Sequence, residues 1–215
     1  MKAEFWKQRW EEGQIGFHQG ETNPHLLSYW NAMDVEGGTV LVPLCGKSLD
    51  MLWLAGQGHK VVGIELSEIA VRDFLSENKL QATESKQGTL KRFSTGDIDV
   101  LQGDFFDYKP DTMITAVFDR ASLIAMPPEM RRQYADHLTQ MLESGTPVLL
   151  VTMEYDQNEM DGPPFSVPET DVLSLYQQYF ELQLLEEYDL LDEQPQFKAK
   201  GLTALKERAY KMVKK

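Results

Sequence analysis

Short apolar runs alternate along this chain with stretches whose apolar residues recur at helical spacing. The first run, 39–42, leads into a turn that contains Gly46, and an amphipathic helical stretch follows. A second run, 61–64, ends at Glu65, after which Ser67 is placed to cap another helix. This order predicts a βαβ unit at the start of a parallel sheet, whose ligands bind at the carboxyl ends of the strands.

The alternation continues to the end of the chain and predicts the remaining elements. Further strands are expected at 98–101, 114–118, 147–153, 180–191 and 202–213, with helices that start near Pro128 and Pro168, the second being the last helix. The polar, weakly periodic stretch 81–95 is expected to be a loop. Seven strands alternating with helices predict a doubly wound, mostly parallel α/β sheet in a single domain over 1–215.

Residues 1–30 precede the first strand and are rich in aromatic side chains. Phe5, Trp6 and Trp10 fit one face of a short helix, and glycines then interrupt the regular spacing. Two interpretations remain open for this N-terminal segment. It is either a helix packed on the outside of the core or a lid over the mouth of the ligand site.

Composition narrows the class of function. The formal net charge of −13 disfavours a nucleic-acid substrate, because such a surface repels phosphate backbones. Cys45 is the only cysteine, which excludes a disulfide framework and a multi-thiolate metal site, and the four histidines lack metal-ligand spacing. With no run long enough to span a bilayer and no signal-peptide pattern, we expect a cytoplasmic protein without a membrane partner or metal, and a monomer.

The turn at Gly46 and the carboxylate of Glu65 predict the chemistry of the cofactor. The full glycine pattern of a pyrophosphate-binding loop is absent, but a carboxylate about twenty residues after the turn suits a ribose diol. A cofactor with ribose and no phosphate fits this pattern, and S-adenosylmethionine is such a cofactor. Asp104 is either an acceptor for an adenine amino group or an ordinary loop residue. Arg120 either holds an anionic group or pairs with Asp119.

The residues that carry a family resemblance span nearly the whole chain in order. They are Phe5-Trp6, Arg9-Trp10, Ile15-Gly16-Phe17-His18-Gln19, Asn23-Pro24, Pro43-Leu44-Cys45-Gly46-Lys47-Ser48-Leu49-Asp50-Met51, Gly58-His59, Val61-Val62-Gly63-Ile64-Glu65-Leu66-Ser67-Glu68, Asp119-Arg120-Ala121-Ser122-Leu123 and Gly162-Pro163-Pro164-Phe165. In these motifs the chain resembles the thiopurine S-methyltransferase family in its bacterial form. The resemblance implies a Rossmann-like class I methyltransferase that uses S-adenosylmethionine to methylate sulfur in aromatic and heterocyclic thiols.

The resemblance also implies roles for particular residues. By resemblance the cofactor contacts are Trp10, Leu44, Glu65 and Arg120, with Asp104 and Phe105 beside the adenine, while Phe17 and Arg120 face the acceptor as the catalytic residues. Gln196 departs from the family pattern, which has an arginine there, so the acceptor preference is less securely implied than the cofactor.

Two alternatives to thiol methylation stay open. Some bacterial relatives are linked with selenium and tellurium species, so a chalcogen compound is a possible acceptor. A non-catalytic sensor of an adenosine ligand is the other alternative. For a thiol acceptor we expect no essential histidine base, because heterocyclic thiols are already largely ionised near neutral pH.

Overall fold

The computed structural model describes residues 3–215, which form two compact units, one ending at Phe118 and one running from Asp119 to Lys215. The helices are α1 (Ala3–Glu11), α2 (Pro24–Tyr29), α3 (Asp50–Gly56), α4 (Glu68–Glu77), α5 (Ser122–Ala125), α6 (Pro128–Gln140), α7 (Glu169–Tyr176) and α8 (Pro195–Ala199). The strands are β1 (Thr39–Val42), β2 (Lys60–Glu65), β3 (Thr83–Gln87), β4 (Leu90–Thr95), β5 (Ile98–Gln102), β6 (Ile114–Arg120), β7 (Pro147–Glu154), β8 (Phe180–Asp189) and β9 (Lys206–Lys214).

Parallel strands form the centre of the first unit. Its strand order is β3-β4-β5-β2-β1-β6, and β5, β2, β1 and β6 run parallel to one another. All four residues of β1 are buried, as expected for a strand covered on both faces. Because these four strands are parallel, their carboxyl ends meet at one edge of the sheet, where the turns after β1, β2 and β5 lie close together.

Gly63, in the middle of β2, allows two sulfur-containing side chains to pack directly on the strand. A Cβ atom at this position would lie 2.6 Å from Sδ of Met51 and 2.8 Å from Sγ of Cys45. Met51 belongs to α3 and is fully buried, and Cys45 belongs to the turn after β1. The bare backbone of β2 therefore brings both the helix and the turn closer to the sheet than any side chain would allow.

The second unit is built on antiparallel strands in the order β7-β9-β8. β7 pairs with β9 along its whole length, from Pro147 opposite Val213 to Glu154 opposite Lys206. Helix α6 begins with Pro128 in its first turn, where the missing N–H of proline has no helical partner to lose. None of the helices in residues 3–215 combines the length and hydropathy that crossing a bilayer demands.

The predicted α/β class and most of the predicted elements are confirmed, with three corrections. The stretch 81–95 is not a loop but the β3–β4 hairpin, so residues 3–215 contain nine strands and not seven. A further short helix, α8, follows the helix expected to be the last. The final strand starts at Lys206 instead of residue 202, because Leu202 and Leu205 pack against Tyr155 in a small separate cluster.

Candidate functional site

Glu65 ties together the turns that follow three parallel strands. It is the last residue of β2, and its Oε1 accepts the backbone N–H of Ser67 at 2.6 Å. Its Oε2 accepts the N–H of Gly46, in the turn after β1, at 2.8 Å. Its carbonyl oxygen accepts the N–H of Gly103, in the turn after β5, at 2.8 Å. One residue thus fixes the spacing of three turns at the edge where ligands of such sheets bind.

The environment of Glu65 makes ionisation of its carboxyl group costly. The side chain is buried, and burial raises its pKa from 4.5 to about 7, although the N–H groups of Ser67 and Gly46 oppose that rise. A carboxylate oxygen has more than one acceptor site, so each oxygen can take a further donor besides its backbone N–H. A pair of adjacent hydroxyl groups supplies two such donors, which is why this carboxylate fits a ribose.

The turn after β1 combines an unusual backbone with a close aromatic contact. Leu44 has φ +48° and Gly46 has φ +54°, a region that costs side-chain-bearing residues about 1–2 kcal/mol. A Cβ atom at Gly46 would lie 3.3 Å from Cζ2 of Trp10. Trp10, on α1, is itself buried. Glycine at this position therefore lets the indole ring lie directly against the turn.

The aromatic side chains of the N-terminal segment form one cluster. The ring of Phe17 makes edge contacts with Trp10 and with Trp6, each with ring centroids 5.6 Å apart. Phe17 is 39% exposed, whereas Trp10 is 6% exposed. The cluster thus presents an accessible phenyl ring, backed by an indole that contacts the Gly46 turn. This arrangement is compatible with both interpretations of the N-terminal segment, and its role as a lid stays a prediction.

A buried polar network anchors the end of that segment to the same turn. Asn23, fully buried, caps α2 by accepting the N–H groups of His25 and Leu26. Its own N–H donates to Oδ1 of Asp50 at 2.7 Å, and Oγ of Ser48 donates to Oδ2 of Asp50 at 2.6 Å. The N-terminal segment is therefore bonded to the residues that follow Gly46. Sequence reasoning missed this role of Asp50, since an acidic residue in the first turn of a helix is usually only a favourable charge.

Lys47 fixes the other side of the turn. Its side chain is buried along its length, and Nζ lies 2.7 Å from Oε1 of Glu77 at the end of α4. The ammonium group of Lys47 thus forms an ion pair with Glu77 within the fold. This contact agrees with the absence of a phosphate-binding loop in the sequence.

Asp104 and Phe105 lie in the turn after β5. Oδ1 of the exposed Asp104 accepts the N–H of Phe106 at 3.0 Å and so caps the short helical turn that Phe105 begins. Phe105 is buried. The N–H of the preceding Gly103 donates to the carbonyl of Glu65. The turn that carries Asp104 and Phe105, the two expected neighbours of the adenine, is therefore bonded to Glu65. Their contacts with an adenine ring stay a prediction.

The structure thus brings together Trp10, Leu44, Glu65, Asp104 and Phe105 around the turns of the first unit, with Phe17 against Trp10. Arg120 is the last residue of β6 and belongs to the second unit, and the following Ala121 has φ +70°. The expected role of Arg120 toward cofactor and acceptor stays a prediction.

Other reactive groups in the described part of the chain do not indicate a second chemistry. Cys45 is buried, and burial together with the nearby Glu65 raises the pKa of its thiol, which keeps the group neutral. Within residues 3–215, histidine, cysteine and acidic side chains form no group of three or more that could hold a metal ion.

Comparison with known proteins gives consistent matches over the full chain. The family model described as "Thiopurine S-methyltransferase (TPMT)" matches residues 1–215. A protein of Bordetella petrii named thiopurine S-methyltransferase is 46% identical over 215 residues, which cover 99% of this chain and 98% of that protein. A protein of Methylococcus capsulatus with the same name is 46% identical over 214 residues, covering 98% of this chain and 96% of the relative.

Solved structures with the same fold have much lower sequence identity. The 1,6-didemethyltoxoflavin-N1-methyltransferase of Burkholderia thailandensis, with bound 1,6-didemethyltoxoflavin and S-adenosylhomocysteine, matches with a TM-score of 0.65 at 12% identity, over 98% of this chain and 87% of that one. A TehB-like SAM-dependent methyltransferase from Corynebacterium glutamicum matches with a TM-score of 0.58 at 15% identity, over 99% and 98% of the two chains. These likenesses concern the fold, which is that of the Rossmann-like class I methyltransferases.

Proposed function

The chain belongs to the thiopurine S-methyltransferase family, and on that premise we propose that it transfers a methyl group from S-adenosylmethionine to the sulfur of aromatic and heterocyclic thiols. The observation that carries the cofactor part of the proposal is Glu65. Its buried carboxylate joins the turns after β1 and β2 and still has acceptor capacity for two hydroxyl groups.

The residues of the first unit fit the other parts of that cofactor. Trp10 packs against Gly46, whose missing side chain lets the indole ring lie beside the turn. Phe105 offers an apolar surface beside Asp104, whose carboxylate is an acceptor for an amino group. We propose that these residues hold the adenosine part, with Leu44 shaping the turn through its positive φ.

Methyl transfer to an ionised thiol requires the protein mainly to position the cofactor and the acceptor. When bound, the cofactor supplies a methyl group on a sulfonium. A lone pair of the acceptor sulfur forms the new S–C bond, and the electron pair of the broken sulfonium–methyl bond stays on the sulfur of S-adenosylhomocysteine. An ionised acceptor has no proton to lose in this step. Alignment of the reacting atoms can then supply roughly 7–11 kcal/mol of the barrier reduction.

We propose that Arg120 and Phe17 serve the acceptor. A guanidinium donates paired N–H groups and stays charged at every working pH, so it suits an anionic thiolate. The exposed phenyl ring of Phe17 offers a stacking surface for a flat heterocycle and helps to exclude water. No histidine acts as an essential base in this proposal.

A labelled-methyl assay tests the proposal against its alternatives. The parent protein is offered 6-mercaptopurine, a simple aromatic thiol, selenite and tellurite under identical conditions. Preferred methylation of the two thiols supports the proposal. Methyl transfer to selenite or tellurite only would identify a selenium or tellurium compound as the acceptor. Cofactor binding without turnover on any of the four compounds would indicate a sensor.

Variants of Arg120 and His18 test the roles of the residues. We expect Arg120→Ala to lower kcat/KM for 6-mercaptopurine by about 10–100-fold, which corresponds to a lost charge-assisted hydrogen bond of roughly 1.5–3 kcal/mol. His18→Gln should lower it by less than about fivefold, since an essential base contributes about 10²–10⁴-fold. A hundredfold loss in His18→Gln, with fold and cofactor affinity intact, would make His18 the base and overturn the pre-ionised mechanism.

A further inference from the structure

Arg131 is a cation buried inside the second unit. It lies on α6 and is 2% exposed, and its guanidinium donates to three different segments. Nε donates to the carbonyl oxygen of Met126 at 3.2 Å, Nη2 to that of Ser166 at 2.8 Å, and Nη1 to Oδ2 of Asp171 on α7 at 2.8 Å. All three nitrogens of the group are therefore engaged.

The two carbonyl groups belong to backbone segments that carry the proposed acceptor chemistry. Met126 directly follows α5, the short helix that starts after Arg120 and Ala121. Ser166 follows the Gly162-Pro163-Pro164-Phe165 motif. A backbone hydrogen bond, from the N–H of Phe165 to the carbonyl of Ile124 at 2.7 Å, joins the same two segments. Arg131 thus joins the C-terminal end of α5, the helix whose other end follows Arg120 and Ala121, to the loop 162–166.

The turn after Arg120 needs such support. Ala121 has φ +70°, a conformation that side-chain-bearing residues keep only when the surroundings hold them in it. On its other side the turn follows Asp119, which is fully buried and accepts a hydrogen bond from Oη of Tyr134 at 2.7 Å. The backbone around Arg120 is therefore held before it by Asp119 and, at the far end of α5, by Arg131.

The loop 162–166 is held from its far side by the end of β7. Oγ of Ser166 donates to the carbonyl of Tyr155 at 2.6 Å, and Oη of Tyr155 donates to the carbonyl of Pro164 at 2.5 Å. Among the hydrogen bonds described above, those of Arg131 are the only ones in which a side chain connects the loop 162–166 to the end of α5. Removing the guanidinium would leave two buried carbonyl groups without that partner.

Stability alone does not explain this arginine. Burying a charged side chain often gives no more stability than a well-packed apolar side chain of the same size. The ion pair with Asp171 also contributes little, because the side chain of Asp171 is 41% exposed and solvent screens the pair. Three directional bonds to three segments, by contrast, specify one geometry. We propose that Arg131 is a positioning residue of the acceptor site, which sets the direction of Arg120 and the location of the loop 162–166; this inference rests on the proposed function.

The neighbouring Arg132 is a matched control. It lies on the same helix and also donates to backbone carbonyls, those of Leu175 at 3.2 Å and Ser174 at 2.6 Å. Both carbonyls lie in the last turn of α7, away from the turn after Arg120 and from the loop 162–166. Arg132 is exposed. Loss of this second guanidinium therefore removes two hydrogen bonds to backbone carbonyls, in a more solvated setting, without touching the proposed acceptor segments.

The experiment compares Arg131→Met, Arg131→Lys and Arg132→Met. We expect Arg131→Met to lower kcat/KM for 6-mercaptopurine by about 10–100-fold. Because Arg120 is also an expected cofactor contact, the calorimetric Kd for S-adenosylhomocysteine should weaken as well, but by a smaller factor. Arg131→Lys keeps the charge beside Asp171 and should recover only part of the loss, because an ammonium group cannot span the three acceptors. Arg132→Met should stay within about threefold of the parent protein in kcat/KM.

Hydrogen exchange supplies a readout that needs no activity. Amides 121–126 and 165–167 should exchange at least tenfold faster in Arg131→Met than in the parent protein, and at the parent rate in Arg132→Met. Equal catalytic losses in Arg131→Met and Arg132→Met, or unchanged exchange in both segments, would overturn the inference. If Arg131→Met does not fold, the same two readouts on Arg131→Lys decide. If the parent protein methylates no thiol, the proposed function fails, and the exchange result still decides whether Arg131 fixes these segments.

Discussion

Cofactor affinity should fall steeply as the pH is lowered, because of one carboxyl group. Burial raises the pKa of Glu65 to about 7, and a ribose diol needs the ionised form as its acceptor. Binding that selects the carboxylate loses about tenfold in affinity per pH unit below that pKa, so Kd should be about tenfold weaker at pH 6 and about a hundredfold weaker at pH 5 than at pH 8.

The same group should make the free protein less stable as the pH rises. Below pH 4.5 the carboxyl group is protonated in both the folded and the unfolded states, so its contribution is fully present. Between pH 4.5 and about 7 the unfolded chain ionises first, and the free energy of unfolding falls by about 3 kcal/mol. Above about pH 7 both states are ionised and this contribution does not change further.

Glu65→Gln is the variant that isolates the carboxylate. The amide keeps the size of the side chain but faces either Gly46 or Ser67 with its NH₂ group, which leaves one buried N–H without an acceptor at a cost of about 1–3 kcal/mol. Above pH 7 the variant also escapes the burial cost of the charge, which offsets that loss. We therefore expect a folded variant of near-parent stability at pH 8 that binds the cofactor poorly.

Calorimetric titration with S-adenosylhomocysteine from pH 5 to 8 measures these effects. The ligand's own ionisations act on both proteins, so the ratio of the parent to the Glu65→Gln affinity isolates Glu65. Titration at pH 6 in two buffers of different ionisation enthalpy should show release of about 0.9 proton from the parent protein and none from the variant. A flat ratio, or parent-like affinity in folded Glu65→Gln, would refute the assignment of the ribose to this carboxylate.

Two further perturbations address the turn and the N-terminal segment. Gly46→Ala should weaken cofactor binding by more than about tenfold, because the φ of +54° costs about 1–2 kcal/mol and the new Cβ would lie 3.3 Å from Trp10. Its control is Gly88→Ala, at a position with φ +59° and open space around it, which should lose similar thermal stability without losing affinity. Equal cofactor affinities in the two variants would contradict this reasoning. Deletion through Gly20 keeps the Asn23 anchor and should give a folded protein with weaker cofactor binding and slower methyl transfer; transfer at the full rate would show that the deleted segment only packs on the core.

The buried parallel strands and the residues at their ends could be predicted because their signals are local. β1 matches its prediction at both ends, since Thr39 and the three apolar residues after it are bounded by glycines and a turn. The β3–β4 hairpin could not be predicted in this way. Residues 83–86 of β3 are polar and exposed, and β4 buries only Leu90 and Phe93, a spacing of three that does not resemble strand alternation.

Side-chain partners at long sequence separation were beyond the reach of pattern analysis. Glu65 was predicted from its distance to Gly46, but nothing in the sequence indicates that Asp50 holds Asn23, which lies 27 positions away. Arg131 and Arg132 are adjacent and chemically identical in the sequence. Only the fold distinguishes the buried arginine that joins three segments from the exposed one that reaches the end of α7.

The close packing at Gly63 links the evolutionary histories of three positions. A methyl group at residue 63 would collide with the sulfur atoms of both Met51 and Cys45, so a lineage that replaced the glycine first would pass through a poorly folding intermediate. Smaller or displaced side chains at 45 and 51 must therefore be acquired before residue 63 can change. Because residue 45 lies in the turn bonded to Glu65, that turn would have to accept a change before the middle of β2 could.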